Sequence, residues 1–150
     1  MSATKEARED DPFDLARFLD AQEEVYERAL AELKAGRKRS HWMWFVFPQL
    51  QGLGYSAMSR KYAIRDREEA SAYLKHPVLG ARLEACCRAL LDIPGRSALE
   101  ILGSPDDLKL RSCATLFAAV SGEGSPFHEI LDRYFEGRRD EWTVEELQKA

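Results

Sequence analysis

The segment from Lys38 to Gly54, KRSHWMWFVFPQLQGLG, gathers two of the chain's three tryptophans and two phenylalanines between a basic approach and a glycine-punctuated exit. That much aromatic surface is costly to leave in water, so the chain has to fold around it. Burying the run is expected to draw His41 and Gln49 inward too, where their polar atoms must find partners or line a ligand cavity. As a short continuous apolar stretch, it suits a buried strand as readily as a helix.

Outside the run the signals are helical. Asp11-Pro12, Asp66 with Glu69, Ser104-Pro105 with Asp107, Ser125-Pro126 and Thr143 with Glu146 each place a capping residue before a first-turn proline or acid. His76-Pro77 reads as the end of one helix and the start of another. Leu15, Phe18, Leu19, Val25, Tyr26, Ala29, Leu30 and Leu33 recur at helical spacing, whereas sustained alternation is hard to find. The segment Pro105–Ser121 is apolar or small on nearly every side and reads as the central helix. The expected fold is all-α, a single compact multi-helical domain over residues 12–150, after a disordered tail over residues 1–11.

At 150 residues with 45% hydrophobic composition the chain can bury one real core. A net charge of -4 argues against duplex nucleic-acid binding through a broad basic surface. Cys86, Cys87 and Cys113 are odd in number and form no CxxC pair, so no disulfide framework or zinc cluster is expected. No stretch approaches the ~20 apolar residues that span a bilayer. With no apolar leader at the N-terminus, a soluble cytoplasmic protein without a membrane partner is expected.

Several residues are candidates for chemistry. His41 suits a general base or an orienting donor, and equally a structural histidine. Trp42, Trp44 and Phe47 suit stacking on a nucleobase, or simply the core. Gln22 shares a helical stripe with Leu15, Phe18, Leu19, Tyr26 and Leu33, so its amide is expected to face inward, towards a ligand or a network with Gln49. Gly52, Gly54 and Ser56 resemble a small phosphate-contacting loop, and Ser56 is also placed to cap the next helix. Lys61 and Tyr62 follow with positive charge and a hydroxyl. Asp107 suits a ribose-binding carboxylate, although its spacing from Ser104 also fits a capping box. Lys109 and Arg111 suit a phosphate clamp or ion pairs with Asp106 and Asp107. His41, His76 and His128 lie far apart without a carboxylate pattern, so neither a metal nor another cofactor is expected.

HWMWFVFPQL at 41–50, Gly52-Leu53-Gly54, KYAI at 61–64, HPVLG at 76–80 and LKLRS at 108–112 resemble domain-of-unknown-function family 1810 from about Phe13 to Thr143. The resemblance implies a small all-α bacterial domain. The family sometimes carries a calpastatin-like label, but calpain inhibitors are disordered repeats and this composition is that of a compact fold. FLDAQ at 18–22, YLKHP at 73–77 with Leu79, and ALEIL at 98–102 followed by Asp106-Asp107 resemble the NADAR (NAD- and ADP-ribose-associated) superfamily. That resemblance implies binding of ADP-ribose-type nucleotides and, in some members, removal of ADP-ribose from nucleobases. Gln22 matches that superfamily's inward glutamine and Asp107 its late aspartate. The tryptophan and glycine that follow that aspartate are here Leu108 and Lys109, and only Asp14 stands near the position of the acid before the glutamine.

Two functions are therefore carried forward. One is binding or N-glycosidic processing of an ADP-ribose- or NAD-like nucleotide, or of an ADP-ribosylated substrate. In it Asp107 and His41 are the catalytic candidates, and Gln22, Trp42, Trp44, Phe47, Gln49, Gly52, Gly54, Ser56, Lys61, Tyr62, Lys109 and Arg111 bind substrate. The other is a non-catalytic helical protein-interaction module. The oligomeric state is open.

Overall fold

Side-chain caps set most of the helix starts in the computed structural model, which describes residues 11–149. Asp11 accepts from the amides of Leu15 at 2.8 Å and Ala16 at 2.9 Å and starts α1, Ala16–Gln22. Residues 1–10, most of the expected tail, lie outside the described residues. Next come α2 (Tyr26–Lys34), α3 (Met43–Val46) and α4 (Ala57–Lys61), the last capped by Ser56. Asp66 caps α5 (Arg67–Lys75), and His76 ends it. The imidazole Nδ1 of His76 then accepts from the amides of Val78 and Leu79, at 3.1 and 3.2 Å, and starts α6 (Leu79–Leu91). A capping box between Ser97 and Glu100 opens α7 (Ala98–Leu102), followed by α8 (Asp106–Ala118), α9 (Pro126–Phe135) and α10 (Glu141–Gln148).

The described residues are all-α, with one isolated parallel bridge between Leu50 and Ile64. Helix α8 is central, packed on α5, α7, α9 and α10, while α6 lies against α2, α5 and α9. From Ser112 to Ala118 every residue of α8 is buried, because the helix offers no polar face to solvent there. Gly80 lets α6 cross the end of α5: a Cβ at this position would stand 2.1 Å from the Leu74 carbonyl oxygen. Cys86, Cys87 and Cys113 are free and buried, and desolvation pushes all three thiols up, Cys86 to about 12. They remain neutral thiols, unsuited to nucleophilic work. No helix among the described residues is long and apolar enough to cross a membrane.

Four local expectations are corrected. The apolar stripe from Leu15 to Leu33 is divided between α1 and α2, with a turn at Glu23–Val25 where the Val25 amide bonds back to Gln22 O. Asp140, rather than Thr143, caps the last helix and accepts from the Thr143 amide at 3.0 Å. The Asp140 amide is itself tied to Thr115 Oγ1 at 2.9 Å, a tertiary contact that selects this cap. Ser104 and Asp107 form no capping box, because Pro105 stands at the N-cap of α8 and makes no side-chain cap bond. His41 is exposed, since it precedes Trp42, the N-cap of the single-turn α3, and its side chain is left outside the packed run.

Candidate functional site

The aromatic run is a single helical turn followed by an extended exit, and Trp44 is its one residue from Trp42 to Leu50 that is not buried. Its approach is pinned by Glu32 on α2. That carboxylate accepts from the Arg39 and Ser40 amides at 2.8 and 3.1 Å, the Ser40 hydroxyl at 2.5 Å and the Trp42 indole Nε1 at 2.9 Å. Burial alone would push the carboxyl up, but these four donors outweigh it and lower its pKa to about 2.

A second clamp joins the run to the first turn of α8. Asp106 accepts from Lys38 Nζ at 2.8 Å through one oxygen and from Lys109 Nζ at 3.0 Å through the other. Each ammonium also sits over a tryptophan, Lys38 at 5.1 Å from the Trp42 ring and Lys109 at 4.4 Å from the Trp44 ring. Burial works against the charged form of Asp106, and the two lysines prevail, holding its carboxyl below the ordinary value. Lys109 thus does pair with Asp106, as its spacing allowed.

Gln49 Nε2, in the run, and Asp107 Oδ1, in the first turn of α8, are both buried and have no hydrogen-bond partner among the described residues. A buried polar group left unpaired costs about 1–3 kcal/mol, so each of these atoms is a candidate for a partner from outside the chain, water or ligand. One is a donor and the other an acceptor. Lys109 stacks on Trp44 where the run meets α8, and Asp107 lies in the same first turn of that helix.

The other sequence-predicted residues have structural roles or stand elsewhere in the fold. Trp42 and Phe47 are core, with ring centroids 6.1 Å apart. Tyr62 is buried against Phe45 and Phe18. Gln22 does face inward, but protein groups occupy its amide. Its Nε2 donates to Phe45 O at 2.6 Å and Tyr73 Oη at 3.0 Å, while its Oε1 accepts from Arg82 at 3.3 Å. Gly52 and Gly54 pack on side chains, since a Cβ on Gly52 would meet Trp142 at 2.9 Å and one on Gly54 would meet Ser59 at 2.7 Å and Trp44 at 3.0 Å. The Ser56 hydroxyl accepts from the Ser59 amide at 3.1 Å. Arg111 donates to the carbonyls of Arg138 and Arg139 at 2.9 and 2.7 Å, anchoring the segment before α10. Lys61 lines a separate cleft beside Arg17, and His41 stands apart on the surface.

Of the two carboxylates that organise the junction, Glu32 escapes a sequence reading, and Asp106 enters it only as an ion-pair partner for Lys109 and Arg111. Their partners Trp42 and Lys38 show no periodic relation to them, although Lys38 stands out as part of the basic approach. A surface cleft of about 560 Å³ lies between the ends of α2 and α6. Its floor is Leu30, Ala85, Ala89 and Ile93, and it includes none of the residues above. Among the described residues no cluster of His, Cys, Asp and Glu has the makings of a metal site.

Residues 12–147 match the model of a family described as a protein of unknown function, DUF1810. The chain is also 51% identical to the conserved hypothetical protein Rv1873 from Mycobacterium tuberculosis, whose crystal structure is similar at a TM-score of 0.90 over 92% of this chain and 99% of that one. No curated protein matches the chain.

Proposed function

The chain belongs to the DUF1810 family, and we propose that the junction between its aromatic run and α8 binds an ADP-ribose- or NAD-like nucleotide and is equipped to act on the N-glycosidic bond. The observation that carries this reading is the pair of buried atoms without a partner among the described residues, Gln49 Nε2 in the aromatic run and Asp107 Oδ1 in the first turn of α8, the helix that Lys38, Asp106 and Lys109 tie to the run. A ribosyl nucleotide has the complementary groups: hydroxyls that donate to a carboxylate, ring or amide acceptors for the Gln49 N–H, a flat base for Trp44 and phosphate for Lys109. The nucleotide class itself follows from the resemblance to the NADAR superfamily.

Cleavage would proceed by attack of water at the anomeric carbon. The bonding pair leaves with the base nitrogen, which gains a proton, and water loses one. Positive charge develops on the sugar as the bond breaks, and a carboxylate at the Asp107 position stabilises it electrostatically. His41, exposed on the surface, is outside this set.

A ligand bound only by the folded state at ten times its Kd adds about 1.4 kcal/mol to stability. For a chain of this size that raises Tm by roughly 3–6 °C. A thermal-shift series with ADP-ribose, NAD, AMP and nucleosides is expected to show such a rise for at least one nucleotide, and Asp107→Asn is expected to remove most of it. No shift at millimolar ligand would overturn the proposal. It would favour instead a non-catalytic interaction module, for which Tyr55 (86% exposed) and Met58 (44%), at the start of α4, offer an apolar contact pair.

A further inference from the structure

We propose a second ligand site, for a small phosphate-type dianion, in the cleft between the turn before α1 and the segment Arg60–Arg65. The cleft holds about 410 Å³ and is lined by Phe13, Arg17, Gln51, Arg60, Lys61 and Arg65 among others. Arg17 is its fixed wall. Its five N–H groups all have acceptors: Lys61 O, Phe13 O, Asp14 O, Ala63 O and the Glu69 carboxylate. Asp14 is held in the left-handed region at φ 52 while giving its carbonyl to this network, a conformation that an aspartate tolerates at a cost. The wall is therefore built in advance of any ligand.

The charge of the cleft is incompletely balanced. Glu69 is buried and shared between Arg17 and Arg65, so one carboxylate serves two guanidinium groups. Arg60 and Lys61 are exposed, and neither has a side-chain ion-pair partner among the described residues. With Asp14 on the rim, four cations face two carboxylates, leaving two positive charges in one concavity of a chain whose net charge is -4. A phosphate monoester carries about -1.5 to -2 at neutral pH and three acceptor oxygens, which match that surplus. The Phe13 ring, with the Arg65 guanidinium 5.6 Å from its centroid, offers an apolar wall for a small organic body.

Carboxylates interrupt the basic surface beyond it. The adjoining cleft includes Asp66 and Glu146 beside Arg65, Arg67 and Lys149, and the cleft around Arg111, Arg138 and Arg139 includes Glu141 and Glu145. Such interruption suits a single phosphate group better than a nucleic-acid backbone, which asks for an unbroken stripe of cations. The site involves neither Gln49 nor Asp107, so it stands or falls independently of the nucleotide reading.

The test is a titration of ¹⁵N-labelled protein with inorganic phosphate at constant ionic strength, with chloride as the matched control. Saturable shifts are expected at the amides of Gln51, Lys61 and Ala63. The R60A/K61A variant is expected to weaken binding about tenfold, as loss of charge-assisted donors implies, while R139A leaves it unchanged. Equal shifts with chloride, shifts confined to other regions, or equal affinity in R60A/K61A would overturn the site. Because the wild-type map alone can refute it, the proposal does not hang on the variant folding.

Discussion

Glu69→Ala is expected to destabilise the fold by about 3–5 kcal/mol, the cost of stranding a buried charge. The Glu69 side chain is wholly buried. It accepts from Arg17 Nη2 at 2.7 Å, from the Arg65 amide at 3.0 Å and from Arg65 Nε at 3.2 Å. Arg17, 13% exposed, would keep its charge but lose its only ion-pair partner among the described residues. That arginine ties α1 to the Lys61–Ala63 segment, so the loss spreads beyond one pair. Urea denaturation is expected to show a fall in midpoint at an unchanged slope. A loss below about 1 kcal/mol for Glu69→Ala would mean that the pair is not buried as described.

The second large effect falls on Glu32. Glu32→Ala removes four hydrogen bonds and leaves the Trp42 indole N–H without its acceptor inside the fold, a cost of about 2–3 kcal/mol. It also has a pH signature. The folded-state pKa is depressed to about 2 from 4.5, so the carboxylate's contribution is complete above the unfolded value and is lost as pH falls towards the folded one. Allowing for solvent screening, that contribution is about 2 kcal/mol. The stability difference between wild type and Glu32→Gln is therefore expected to be constant above about pH 5 and to shrink between there and pH 2. A difference that persists unchanged at pH 2 would assign the role to shape rather than charge.

How far the sequence could be read differs from residue to residue. Burial of Trp42, Phe47 and Gln49 was legible because dense aromatic surface must leave water and carries its neighbours with it. His41 broke that rule by standing one residue before the helical turn, a position that density along the chain cannot resolve. Gln22 was placed inward by its spacing, but Phe45 O and Tyr73 Oη, which occupy it, lie 23 and 51 positions away. Glu69 reads as a first-turn acid beside Asp66. The Asp66 cap takes only its backbone N–H, at 2.9 Å, leaving the carboxylate free for an arginine 52 positions distant. The turn between α1 and α2 contains no glycine or proline, and the unbroken apolar spacing across it concealed the break. Asp140 and Thr143 both have cap spacing, and only the contact with Thr115 decides between them.

Within the candidate site, the sequence offered Trp44, Gln49, Asp107 and Lys109 as separate possibilities. One contact relates two of them, Lys109 over Trp44, and Asp106 between Lys38 and Lys109 ties the run to α8, while Gln49 and Asp107 each leave a buried atom without a partner among the described residues. Arg111, Lys61 and Gln22 carry equally suggestive chemistry but occupy other places in the fold. The most direct measurement follows the Gln49 side-chain amide and Trp44 indole resonances as ADP-ribose is added. If the junction is the nucleotide site, both move saturably with one Kd, and Asp107→Asn weakens that response while the rest of the spectrum stays native-like. If ADP-ribose shifts only resonances remote from Trp44, Gln49 and Asp107, or shifts none, the junction is not a nucleotide site.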